Sequence, residues 1–164
     1  FIIFGNLPYN ISSQILVKII KSKIWPPNFK DIIFMFQKEL GDKIIADYPS
    51  SNYGRLSILT NYRLHVVDKF IVSPNCFFPK PKVISSVLHF KKKINKSIKI
   101  KNIKNLEKIT NLLFSNRRKM INKNMTKILS YGQLKKIKDI NLSHRPSDIT
   151  PEQYYKITKL FEGN

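Results

Sequence analysis

The chain opens on an apolar run that ends in a fixed turn, and this constrains its fold more than any other feature. Phe1-Ile2-Ile3-Phe4 leads directly into Gly5-Asn6-Leu7-Pro8-Tyr9-Asn10, and Ser12-Ser13 begin the next patterned stretch. A short unbroken apolar run reads as a buried strand, because a strand with one wet face would alternate. Proline fixes its own φ and holds the residue before it extended, so the strand must leave through a turn at Leu7-Pro8. Ser12 or Ser13 is expected to cap a helix reaching about Lys23, with Ile15/Ile19 and Leu16/Ile20 as its apolar stripe. Strand, turn and helix in that order point to an α/β sheet.

The rest of the chain extends that pattern. Pro26-Pro27 end the helix, and Asp31 to Gln37 reads as a second buried strand. A short helix around Gly41 to Asp47, a loop from Tyr48 to Gly54 and a helix from Arg55 to about Tyr62 follow. Two β-rich runs, His65 to Val72 and Val83 to Phe90, flank a loop stiffened by Pro74, Pro79 and Pro81, and pair most simply as an antiparallel hairpin. Beyond Lys91-Lys92-Lys93 the pattern turns helical: Leu106 to Phe114, Arg117 to about Leu129, Gln133 to Ile137 and a last helix. That last helix is expected to have Thr150 as N-cap, Pro151 at its first position and Gln153 completing a capping box. The expected organisation is part of an α/β sheet over 1–92 and a small all-α domain over 93–164. The chain starts inside a strand, without Met, and so reads as a piece of a larger protein.

Charge narrows the partners. There are 30 Lys and Arg against 10 Asp and Glu, a formal net charge of +20. The first ninety residues hold 11 basic and 5 acidic side chains, and the remaining 74 hold 19 and 5. Such a field attracts polyanions, with nucleic acid ahead of an anionic membrane surface. Part of the lysine follows from an A/T-rich coding bias, seen also in the abundant Ile and Asn and the single Ala46, but that bias does not explain scarce Glu. One cysteine, Cys76, excludes an internal disulfide or a cysteine-based zinc site, and His65, His89 and His144 lack metal-ligand spacing. No run of about 18 apolar residues spans a membrane. No secretory signal is visible, and the chain reads as cytoplasmic. Glycine-rich phosphate loops are absent.

Asn6-Leu7-Pro8-Tyr9 carries the chemistry. The lone pair of adenine's amino nitrogen is delocalised into the ring, so that nitrogen is a poor nucleophile. A fixed amide oxygen and a fixed main-chain carbonyl accept its N–H bonds and draw it toward a reactive geometry. A neighbouring tyrosine offers a flat face to an extruded base. The same four residues, taken alone, serve equally well as a proline-bearing turn before a serine-capped helix.

Taken together, Phe4 to Ser13 resembles the catalytic motif of the ribosomal RNA adenine dimethyltransferases of the kasugamycin-sensitivity type. Phe36-Gln37-Lys38-Glu39 is similar to that family's next strand end, and Tyr53-Gly54-Arg55-Leu56-Ser57 to its loop-to-helix entry. Phe77-Phe78-Pro79-Lys80-Pro81-Lys82-Val83-Ile84-Ser85-Ser86-Val87 resembles the segment that closes over the target base. Arg117-Arg118-Lys119 and His144 to Thr150 resemble landmarks of its C-terminal domain.

The resemblance implies the C-terminal half of a Rossmann-like, S-adenosylmethionine-dependent methyltransferase sheet, followed by a basic helical rRNA-binding domain. It implies transfer of methyl groups to two adjacent adenosines in a hairpin near the 3′ end of 16S rRNA, on immature small subunits, by a monomer that needs no metal. Within it, Asn6 would accept from the amine and touch the cofactor, and Leu7 and Pro8 would supply carbonyls. Tyr9 would stack on the base together with Phe77, preferred over the neighbouring Phe78, which stands where the family often has a smaller residue. Arg117, Arg118, Lys119, Lys123 and Lys127 would meet RNA phosphates, each of them singly being equally readable as a solvated surface residue. The family's cofactor loop is not in this sequence, so the chain alone is expected to be inactive. Two alternatives remain: a resistance-type 23S rRNA adenine methyltransferase, against which Tyr53–Ser57 and His144–Thr150 argue, and a non-catalytic RNA-binding assembly or transcription factor, against which the intact Asn6–Tyr9 motif argues.

Overall fold

The computed structural model describes residues 1–94 and 97–163. Asn95, Lys96 and Asn164, which the expected 93–164 domain includes, lie outside the described residues. The chain divides into two units, Phe1–Ala46 with Thr60–Asn95 and Asp47–Leu59 with Lys96–Asn164.

Four strands build the first unit: β1 (Ile2–Asn6), β2 (Asp31–Gln37), β3 (Leu64–Val72) and β4 (Ser85–Lys92). Their order in the sheet is β1-β2-β4-β3, with β1 and β2 parallel and β4 antiparallel to both of its neighbours. The expected hairpin is therefore present, and β4 inserts between β3 and β2. Side chains alternate across a strand, so Ile32, Phe34 and Phe36 share a face with Phe90, Leu88 and Ser86, and all six are buried. Phe36 meets Phe34 and Phe90 edge-on, with ring centres 6.2 and 6.5 Å apart. Each such buried ring or branched side chain contributes roughly 1.5–3 kcal/mol.

Four local expectations are corrected here. β1 is not a buried strand: Ile2 and Phe4 are 46% and 69% exposed, and β1 is an edge paired on one side only. Its unbroken hydrophobicity reports two apolar faces, of which the described residues cover one. Neither serine caps α1 (Ser12–Ile20): Ile11 precedes it without a side-chain cap, and the buried Ser12 hydroxyl donates instead to the Tyr9 carbonyl at 3.1 Å. The helix also stops short of Lys23, because the Arg63 guanidinium takes the Ile20 and Ser22 carbonyls and lies 4.6 Å from the Trp25 ring centre. Finally, α2 (Lys38–Ile44) starts directly after β2, earlier than expected. Gly41 lets it settle there, since a Cβ at that position would collide with the buried Ser86 hydroxyl.

The helix α3 (Arg55–Arg63) contributes Arg55–Leu59 to the second unit and Thr60–Arg63 to the first. The second unit also contains α4 (Ile103–Phe114), α5 (Asn122–Ile128), α6 (Tyr131–Leu134) and α7 (Pro151–Phe161). The expected division at residue 92 thus omits segment 47–59, which is held by distant partners. Tyr53 is 1% exposed and its hydroxyl donates to the Ile149 carbonyl at 2.9 Å. Tyr155 donates to the Ile58 carbonyl at 3.3 Å, and Arg117 Nη2 to the Ser51 and Tyr53 carbonyls at 3.0 and 3.2 Å. Burial pushes the Tyr53 phenol well above its ordinary pKa, so it stays a neutral donor.

The starts of α4, α6 and α7 are closed by side chains. Thr150, Pro151 and Gln153 form the expected capping box of α7. At the start of α4 the Glu162 carboxylate accepts from the main-chain N–H groups of Lys101 and Asn102, where a helix dipole favours negative charge. The expected helix from Arg117 is a correction: residues 115–118 form turns, Lys119 N–H closes residues 116–119 onto the Asn116 carbonyl, and α5 begins only at Asn122. Ile121 and Asn122 donate outward to the His144 and Leu142 carbonyls, which pulls the chain off a helical path.

Candidate active site

The end of β1 delivers the Asn-Leu-Pro-Tyr turn to the carboxyl edge of the sheet, where open α/β sheets bind ligands. A cavity of about 380 Å³ opens there, bordered by Asn6, Leu7, Pro8 and Tyr9 on one side and by Phe77, Phe78, Pro79 and Pro81 on the other. The structure therefore brings together the motif and the aromatic loop, which the sequence separates by nearly seventy residues. Asn6 and Pro8 are exposed, and Leu7, Tyr9 and Phe77 are half-buried. The turn is closed by Ile11 N–H on the Pro8 carbonyl at 3.1 Å. Gly5 is required by close approach: a Cβ there would stand 2.9 Å from the Leu7 side chain and from the Phe34 ring.

Two residues of this site escaped sequence reading. Met35 borders the cavity because the parallel register sets it beside Asn6. Ser85, fully buried at the start of β4, is 2.6 Å from the Tyr9 hydroxyl. Only strand register reveals either of them, although Ser85 does stand inside the quoted loop motif.

The five basic residues singled out in the second unit, Arg117, Arg118, Lys119, Lys123 and Lys127, are all exposed, but they do not share one helix. Lys123 and Lys127 lie one turn apart on α5, whereas Arg117, Arg118 and Lys119 occupy the preceding turn. Arg117 is also committed to the 51–53 segment through its two carbonyl contacts. Among the described residues, no three of His, Cys, Asp and Glu come together in a metal-like group, and no helix is long and apolar enough to cross a membrane.

This sheet, with its terminal hairpin, is the Rossmann-like fold of the rRNA adenine methyltransferases. It superposes on a dimethyladenosine transferase from Plasmodium falciparum with a TM-score of 0.79 at 22% identity, covering 99% of this chain and 66% of that one. The 23S rRNA methyltransferase ErmE gives a TM-score of 0.68 at 20% identity, with 99% and 65% coverage. More particularly, the chain belongs to the ribosomal RNA adenine dimethylase family, whose model matches residues 1–162. It is 44% identical over 164 residues to ribosomal RNA small subunit methyltransferase A of Pelagibacter ubique, covering 98% of this chain and 61% of that protein. The Rhizobium etli protein of the same name is 41% identical over 123 residues, 75% of this chain and 44% of its own length. The chain thus spans less than two thirds of the relatives it matches.

Proposed function

We propose that this chain is the acceptor side and the RNA-holding part of an S-adenosylmethionine-dependent methyltransferase. The parent enzyme dimethylates the exocyclic amines of two adjacent adenosines near the 3′ end of 16S rRNA, in immature small subunits of the cytoplasm, as a monomer. The observation that carries this reading is one cavity bordered by Asn6, Tyr9 and Phe77, in a chain of the rRNA adenine dimethylase family. The resistance-type alternative is less supported, because the relatives at 44% and 41% identity bear the small-subunit name.

The residues present fit such a cofactor from the acceptor side. Asn6 stands exposed at a strand's carboxyl end, and its amide has N–H donors for the methionine end as well as an oxygen for the amine. S-adenosylmethionine supplies a sulfonium-bound methyl group electrophilic enough for attack by a neutral amine. Asn6 Oδ1 accepts one amine N–H bond and the Leu7 carbonyl accepts the other, since the Pro8 carbonyl is already turned to Ile11. Tyr9 and Phe77 hold the flipped ring, each base–aromatic stack being worth about 1–3 kcal/mol. The proton that the methylated amine then carries in excess would pass to solvent water. Arg117, Arg118, Lys119, Lys123 and Lys127, in the basic 93–164 domain, hold the RNA backbone.

The test uses the full-length parent enzyme, labelled S-adenosylmethionine and immature small subunits lacking the modification. Label is expected in the adjacent adenosine pair, and its absence there overturns the reading. Asn6→Ala is expected to abolish transfer while RNA binding persists.

A further inference from the structure

Phe78 has no part in the mechanism above, and its setting is unusual. At 102% exposure it is the most exposed of the large apolar side chains, yet it borders the same cavity as Tyr9 and Phe77. A phenylalanine ring standing wholly in water gains nothing from burial in the fold, so its value lies in what it meets. Phe77 has an extended backbone, φ −125° and ψ 148°, and neighbouring side chains on an extended chain turn to opposite sides. Two adjacent rings therefore border the cavity, one half-buried and one open. The exposed Lys80 and Lys82 follow directly, and the nearby prolines 79 and 81 stiffen the loop that carries both rings.

We propose that Phe78 is a second base platform, which stacks on the unpaired nucleobase adjoining the adenosine held by Tyr9 and Phe77. This rests on the functional reading above and makes the acceptor site two nucleotides wide. The occupant is an unpaired RNA dinucleotide: the flat ring suits any base face, and Lys80 and Lys82 supply charge for the phosphates that flank it. A substrate with two adjacent target adenosines then has a seat for the waiting base while its neighbour reacts.

The test measures binding of the full-length parent enzyme to a short RNA with two adjacent unpaired adenosines. It is repeated with RNAs made abasic at the position on either side of the target. For the native enzyme, one abasic neighbour is expected to weaken binding roughly tenfold. Phe78→Ala is expected to weaken binding of the intact RNA by a similar factor, to lose nothing further on the abasic RNA, and to be rescued by Phe78→Tyr. If Phe78→Ala binds the intact RNA as tightly as the native enzyme, or if the two losses simply multiply, the platform is refuted while the functional reading stands. If the native enzyme neither binds this RNA nor methylates subunits, both fall together.

Discussion

The Tyr9 hydroxyl and the Ser85 hydroxyl lie 2.6 Å apart, joining the Asn-Leu-Pro-Tyr turn to the first residue of β4. Ser85 is fully buried and fixed in register against Gln37 on one side and Val72 on the other. The tyrosine ring therefore has its far end tied to the sheet, which sets the plane it presents to the cavity. In the full-length enzyme, Ser85→Ala and Tyr9→Phe should each lower kcat about fivefold, as expected for a hydrogen bond worth about 1 kcal/mol, with little change in KM. The double variant should be no worse than either single one. Multiplicative losses would show that the bond does not act as a unit.

Gly5 is pressed between Leu7 and the buried Phe34 ring. Gly5→Ala should destabilise the chain by about 1–3 kcal/mol through overpacking, read as a lower urea midpoint at unchanged slope. An unchanged midpoint would mean that the ring yields freely.

The basic residues should reveal themselves through salt. Each phosphate contact adds roughly 0.7–0.9 to the steepness of RNA affinity against salt concentration. Replacing Arg118, Lys119, Lys123 and Lys127 together by alanine should reduce that steepness by about 3 if all four touch phosphate. Arg117→Ala should behave differently, lowering thermal stability as well, because its guanidinium holds the 51–53 carbonyls. A salt slope equal to the native one would remove these side chains from the RNA interface.

Acid sensitivity should be traceable to Asp31 and Asp42. The hydrogen bond from His89 at 2.8 Å, aided by the charges of Lys91, His89 and Lys30, holds the Asp31 carboxyl below its ordinary range against the opposing effect of burial. Hydrogen bonds from Lys38 and Lys69 do the same for Asp42. A carboxylate depressed in the folded state contributes stability above its unfolded pKa of about 4, and that stability is lost as pH falls below it. Urea midpoints measured from pH 6 down to pH 3 should therefore drop, and Asp31→Asn should flatten that drop. Equal slopes for the two proteins would contradict the pairing.

Much of the first unit was legible because its signals are local. The apolar run of β2, the proline-stiffened loop and the antiparallel pairing of β3 with β4 all follow from nearest-neighbour chemistry. The motif residues Asn6 to Tyr9 and Phe77 could be singled out, and the structure places them around one cavity. What stayed hidden depends on distant register. Met35 and Ser85 join the site only through strand pairing, and the exposed side chains of β1 are invisible to hydropathy. Arg117 has a second role hidden in the same way: its charge points to solvent or phosphate, and only the fold brings the carbonyls of residues 51 and 53 to its guanidinium.

The segment 47–59 also gives the second unit an order in time. Tyr53 is synthesised 96 residues before the Ile149 carbonyl that receives its hydroxyl. At about 5–20 residues per second, that separation is roughly 5–20 s of translation. Throughout this interval a tyrosine destined for burial remains in water beside a growing chain. The second unit, part of which interrupts the first in sequence, can close only when its last helix, α7, has been made.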